Sequence, residues 1–267
     1  MGNETEGRRL YAIGDIHGCL DLLDDMLERI RCDLFARPHP APSVIFLGDY
    51  VDRGPDTRGV LDRLIELEGG DLAPVNLLGN HDSNALASLH DPEWLDRPFH
   101  WFDGNMGGAE TLRSYGVVDA HPLDPAGAHA DFAAAFPAAH RAFLHRARLM
   151  VGIGSYLFVH AGIRPGVPLD AQRREDLIWI REPFLSDRRD HGAMVVHGHT
   201  IVPRVERWPN RIAVDTGAIR TGILSCVVLE GSRIDLLTPS GPQPLPEIPS
   251  SPLTRLGAAL GLDTRRR

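Results

Sequence analysis

The strongest constraint on this chain is an arrangement that occurs five times: a short apolar run that breaks into glycine and a polar residue able to bind metal. Leu10-Tyr11-Ala12-Ile13 leads into Gly14-Asp15-Ile16-His17-Gly18, and Ser43-Val44-Ile45-Phe46-Leu47 leads into Gly48-Asp49-Tyr50-Val51-Asp52-Arg53-Gly54. Val75-Asn76-Leu77-Leu78 precedes Gly79-Asn80-His81-Asp82, Tyr156-Leu157-Phe158-Val159 precedes His160-Ala161-Gly162, and Ala193-Met194-Val195-Val196 precedes His197-Gly198-His199-Thr200. Apolar runs of this length, bounded by glycine, read as buried strands. Leu20, Leu23, Leu27 and Ile30, then Val60, Leu61, Leu64, Ile65 and Leu67, recur at helical spacing between the first strands. Strand, helix, strand implies parallel strands with crossover helices. In such a sheet the strand carboxyl ends lie along one edge, where ligands bind. The five polar motifs are therefore expected at one place.

The rest of the chain frames that edge. Residues 91–150, with Trp94, Trp101 and an alanine-rich stretch, read as a mainly helical insertion or cap. The second half is richer in strands, with Arg211-Ile212-Ala213-Val214 and Ile223 to Leu229 added to those above. The stretch from Pro239 to Pro252 is proline-rich and is expected to form no regular element, and Thr264-Arg265-Arg266-Arg267 to fray. The formal net charge of -8 argues against a general binder of nucleic-acid polymers or membrane surfaces. An anionic substrate then needs local arginines or metal ions. Cys19, Cys32 and Cys226 fit no zinc or disulfide spacing and read as small filler in a reducing compartment. Without a visible signal peptide or an apolar span, the expected location is cytoplasmic.

Aspartate and histidine are ligands for first-row metals, and asparagine can add a carbonyl oxygen. Asp15 and His17, one residue apart, can serve one ion, and Asp49, with two carboxylate oxygens, can bridge to a second. Asn80, His160 and either His197 or His199 would complete that second ion. Each motif alone is weak, since an aspartate after a strand is often a helix cap and a lone histidine is often structural. Their conjunction is what points to a two-metal centre that clamps a phosphoryl group.

These motifs resemble the calcineurin-like metallophosphoesterase superfamily, and within it the bacterial branch of the phosphoprotein phosphatases. The resemblance runs from residue 14 to about residue 200. It implies an α/β fold, a two-sheet β-sandwich flanked by helices, over residues 8–238, with a C-terminal tail at 239–267. It also implies His199, the histidine before threonine, as the ligand of the last motif, leaving His197 as a packed or supporting residue. The implied metal set is Asp15, His17, Asp49, Asn80, His160 and His199, holding two divalent ions: manganese first, with iron or zinc as alternatives. The implied nucleophile is a hydroxide between the ions, so no serine or cysteine is needed. Asp52 and His81 match the family's acid pair, in which a protonated histidine oriented by the carboxylate donates to the leaving oxygen. Arg53 would bind phosphate, joined by Arg181 in preference to Arg164.

The motifs divide on substrate. Asp-x-His-Gly and the Asp49 to Gly54 run match serine/threonine protein phosphatases, so the expected partner is a phosphorylated protein or a small phosphoester. Asp82, where protein phosphatases carry glutamate, is common in symmetrical dinucleoside-polyphosphate hydrolases, although those usually carry glutamine where this chain has His17. An inactive binding scaffold is the minor alternative. Trp94, Phe99, Trp101 and Phe102 could stack on a purine or form the insertion's own core.

Overall fold

The computed structural model describes residues 4–90, 101, 106–117 and 125–249. Strands β1 (Arg9–Ile13), β2 (Pro42–Phe46) and β3 (Val75–Asn76) pair in parallel in that order, joined by helices α1 (Leu20–Ala36) and α2 (Thr57–Leu67). Helix α1 buries Leu23, Met26, Leu27 and Ile30 on one face, as their spacing predicts. Helix α2 starts where the Asp56 carboxylate accepts the Gly59 N–H at 2.8 Å. Helix α3 (Asn80–His90) follows the third motif directly.

The insertion supplies α4 (Gly108–Ser114), α5 (Pro125–Ala135) and α6 (Ala138–Arg146), as its composition suggests. Phe132, Phe136 and Phe143 pack with Trp101, Leu112 and Tyr115 into the same core that α1 and α2 cover. Trp94, Phe99 and Phe102 lie outside the described residues.

A second sheet then forms from β4 (Met150–Ile153), β5 (Tyr156–Val159), β6 (Met194–His197), β7 (Glu206–Arg207) and β8 (Arg211–Ala213), in the order β4-β5-β6-β8-β7. A short helix, α7 (Arg174–Trp179), lies between β5 and β6, and another, α8 (Ala218–Thr221), follows β8. The chain returns to the first sheet with β9 (Cys226–Glu230), antiparallel to β1, then β10 (Arg233–Thr238). Alternation along β1 sends Tyr11 and Ile13 to the helical layer and Leu10 and Ala12 to the core between the sheets. The outer face of the second sheet, with Leu157, Val159 and Val195, is covered by Leu177, Ile178, Ile180 and Phe184.

The proline-rich stretch departs from expectation at its start. Gly241–Pro244 forms β11, antiparallel to β10, with Pro242 opposite Leu237. It is the outermost strand of its sheet, where a missing N–H costs no ladder bond on the solvent side. Residues 250–267, including the terminal arginines, lie outside the described residues. Among the described residues no helix is long and apolar enough to cross a membrane.

Candidate metal centre and active site

The loops after β1, β2, β3, β5 and β6 meet at the carboxyl edge of the two sheets. The backbone there is under strain. Of seven described non-glycine residues with positive φ, five are His17, Asp49, Asp52, Arg53 and His199. Such conformations cost roughly 1–3 kcal/mol each and persist where their surroundings fix them. The fixing groups are visible. The buried Asp82 carboxylate accepts the backbone N–H groups of Asp49 (2.8 Å), Tyr50 (2.9 Å), Val51 (3.3 Å) and Gly79 (2.9 Å), tying the second and third loops together. Gly48, at φ +100°, brings the same loops so close that a Cβ there would lie 2.6 Å from the Gly79 nitrogen. Asp82 faces the loops' backbone, so its identity speaks to how they are joined and gives no contact that would select a substrate.

Two groups of ligand atoms lie mutually within 4.8 Å: His17, Asp49 and His81, and Asp49, His160 and His199. Asp49 is common to both. His17 Nδ1 donates to the Val51 carbonyl (2.8 Å) and His160 Nδ1 to the Leu47 carbonyl (2.9 Å), which leaves each Nε2 facing the Asp49 carboxylate at 3.6 and 3.4 Å. Asn80 Oδ1 is 3.0 Å from His160 Nε2. Asp15 is in neither group; its carboxylate accepts the His199 N–H at 3.1 Å. Burial, and after it the neighbouring Asp215, holds Asp15 well above the usual carboxylate range. At Asp49 burial acts in the same direction, but His160 and His81 outweigh it and hold that carboxylate well below. Burial opposes charge on His160, yet Asp49 overrides it and pushes the pKa up to about 10. His199 is driven down to about 2 by burial and by His160, and its Nε2 is buried with no hydrogen-bond partner among the described residues. Buried carboxyls that repel one another and an orphaned imidazole nitrogen are the environment a divalent cation relieves, so this donor set fits two ions.

Asp215 was missed in the sequence, although it follows the strand Arg211 to Val214 and so obeys the rule that picked out the other motifs. It is 3% exposed and accepts the Gly217 N–H at 2.8 Å. His197 is buried against Phe184, and burial, then Arg211, lowers its pKa to about 3.

His81 Nδ1 and Asp52 Oδ2 are 2.7 Å apart, and both side chains are almost fully buried. Asp52 has further support that no motif announces. Trp101 Nε1 donates to both its oxygens (2.8 and 2.9 Å), Thr111 Oγ1 donates to Oδ1 (2.8 Å), and the Asp52 N–H donates to that same hydroxyl. Burial raises the Asp52 pKa, and these donors with His81 oppose it. The insertion also accepts the Arg53 N–H at the Gly107 carbonyl (3.0 Å). Trp101 is thus buried and engaged with the acid pair, not presented to a ligand. Arg53 donates to Nε2 of both His17 (2.9 Å) and His81 (2.8 Å), which puts its guanidinium against two ligand nitrogens of the first group.

The cleft above these groups has a volume of about 480 Å³ and is lined by Arg53, Arg181 and Arg220, with Trp179, Ile201 and Met106 on its walls. Arg164, the rival to Arg181, turns away and pairs with Asp176 at 2.8 Å. The sequence profile of the calcineurin-like phosphoesterases matches residues 8–221. The chain belongs to the calcineurin-like phosphoesterase family.

The family is one of phosphoester hydrolases. Among curated relatives of this phosphoesterase, the symmetrical bis(5'-nucleosyl)-tetraphosphatase of Nitrosospira multiformis is 26% identical over 201 residues, 71% of this chain and 60% of the relative. The enzyme of the same name from Acidovorax sp. is 43% identical over 81 residues, 30% of this chain and 26% of the relative. The chain thus spans between a quarter and three fifths of the length of these two relatives. A crystal structure described as a candidate diadenosine tetraphosphatase superposes with TM-score 0.60 and 23% identity, over 85% of this chain and 92% of the other. A cold-active protein tyrosine phosphatase superposes equally well, at TM-score 0.61 and 17% identity over 89% and 80%. At these identities both share the fold and nothing finer.

Proposed function

We propose that this phosphoesterase hydrolyses dinucleoside polyphosphates, reversing the order of the two readings that the motifs suggest. The observation that carries the proposal is the charge of the cleft. Three arginines, Arg53, Arg181 and Arg220, line one cavity whose single acidic lining residue among the described residues is Asp49 at its floor. Arg53 and Arg181 suffice for one phosphoryl group on two cations; Arg220 is a third fork and suits a further phosphate of a chain. The tetraphosphatase relatives support the same reading through their names. A serine/threonine protein phosphatase is the second reading, and the observation in its favour is His17 in place of glutamine.

In either case Asp15, His17, Asp49, Asn80, His160 and His199 are proposed to hold two divalent cations, with manganese tried first because mixed nitrogen and oxygen donors accept manganese, iron and zinc alike. Bound there, the cations would supply Lewis acidity and a water of lowered pKa. Arg53 leaves the imidazole nitrogens and grips the phosphoryl oxygens. Asp52 accepts the Nδ1 proton of His81 and orients the ring, and the imidazolium form would carry a second proton on Nε2, facing the cleft, for delivery to the departing oxygen. A substrate panel tests the reading: kcat/KM for diadenosine tetraphosphate should exceed that for phosphoseryl and phosphotyrosyl peptides by about tenfold or more, the energy of one further charged contact. A phosphopeptide preferred over the dinucleotide would return the chain to the second reading.

A further inference from the structure

Five large apolar side chains are exposed among the described residues: Phe35 at 90%, Trp179 at 41%, Ile201 at 42%, Ile219 at 37% and Ile223 at 58%. Phe35 is on α1. Trp179 and Ile201 line the wall of the cleft, and Ile219 and Ile223 lie on either side of its lining residue Arg220 in sequence. Apolar surface exposed on a cleft wall marks a face that meets a ligand. Trp179 is not free to wander, because its ring packs edge-on against His199 with centroids 6.0 Å apart at 85°.

Charge points the same way. Some exposed arginines are held by carboxylates, Arg164 by Asp176 and Arg189 by Asp187. Arg181 and Arg220 have no ion-pair partner among the described residues, and both face the cleft. A cavity of about 480 Å³ has the size of a small-molecule site and exceeds what one phosphate fills.

We propose that Trp179, Ile201 and Arg220 form a nucleotide subsite: the base stacks on the exposed indole face of Trp179, and Arg220 takes a phosphate beyond the one being cleaved. The inference rests on the dinucleoside-polyphosphate reading and names the residues that would make it selective. Stacking is indifferent to base identity, since every base has a π-face, so the subsite accepts nucleotides as a class.

Titration calorimetry of the metal-loaded protein with ADP and with inorganic pyrophosphate tests it, because the two probes differ by the nucleoside. ADP should bind about tenfold more tightly or better. Trp179→Ala should abolish that preference, Trp179→Phe should retain most of it, and Arg220→Gln should weaken both probes about tenfold. Melting temperature and metal content of each variant establish that it is folded and loaded. Equal affinity of the unaltered protein for both probes, or an undiminished preference in Trp179→Ala, overturns the subsite. Turnover of diadenosine tetraphosphate by the unaltered protein separates this from the broader reading. If that turnover is present while Trp179→Ala keeps its preference, the subsite fails and the reading survives. If a phosphotyrosyl peptide is the better substrate while Trp179→Ala loses its ADP preference, the reading fails and the subsite survives.

Discussion

Asp49, Asp52, His81 and His160, at the floor of the cleft, are between 0% and 2% exposed, and each is held by a fixed neighbour or backbone group. At the rim, Trp179 is 41% exposed, and Arg181 and Arg220 reach toward the cavity without a carboxylate partner among the described residues. The floor is rigid and desolvated, which is what proton transfer and cation binding require. The rim keeps its cations unpaired, which leaves them available to whatever anion arrives. On the function proposed above, the contrast separates chemistry, assigned to the floor, from choice, assigned to the rim.

The comparison can be broken most severely at Asp49, the carboxylate common to both ligand groups. Asp49→Asn should lose bound metal, measured by elemental analysis, and about a thousandfold in turnover. Metal-free protein that cleaved 4-nitrophenyl phosphate at full rate would refute the whole account of the floor. His81→Asn should keep its metal and lose about a hundredfold to ten-thousandfold in kcat; a variant with unfilled sites would show that His81 is a ligand and not an acid. Trp101→Phe keeps the ring and deletes the N–H on Asp52. A hydrogen bond to a carboxylate contributes about 1.5–3 kcal/mol, so kcat should drop at least about tenfold with metal content unchanged. No drop would mean that the insertion merely packs. Arg181→Gln tests the rim and should raise KM several-fold while kcat changes little, whereas a fall in kcat would move Arg181 to the floor.

The smallest effect is one of stability. His197 has a pKa lowered to about 3 by burial and Arg211, against 6.5 ordinarily. Above pH 6.5 it is neutral in both folded and unfolded chains and contributes no pH dependence. As pH falls from 6.5 toward 3, the unfolded chain takes up a proton that the folded one refuses, and stability falls. His197→Gln should make that decline shallower by up to about 1.4 kcal/mol per pH unit, read from urea unfolding at pH 6.5 and 5.0. An unchanged slope would mean that His197 takes up its proton as readily folded as unfolded.

Much of the floor was legible in the sequence because strand, glycine and ligand are local and adjacent. One rule, applied at each strand end, found Asp15, Asp49, Asn80, His160 and the pair His197 and His199, between which the family resemblance chose His199, and applied once more it would have found Asp215. Trp101 and Thr111 were not legible. They lie 49 and 59 residues from Asp52, inside a segment without a strand-end motif, and only the packing of the insertion brings them there. Trp179 appeared only as an apolar letter beside Arg181, since exposure is decided by tertiary contact. Strand β11 was missed because proline counts against a strand unless the strand lies at an edge, and edges cannot be read from one segment alone.

The five left-handed residues at the floor carry a consequence for anyone who evolves this protein in the laboratory. At Arg53 glycine would adopt the observed φ of 68° without strain, whereas at Asp52 it would orphan the buried donors of Trp101, Thr111 and His81. A screen that rewards survival of heat, and never asks for turnover, should drift toward glycine at Arg53. It would enrich sturdier chains that have surrendered the guanidinium fork, so thermal selection on this scaffold has to be coupled to a catalytic readout from the first round.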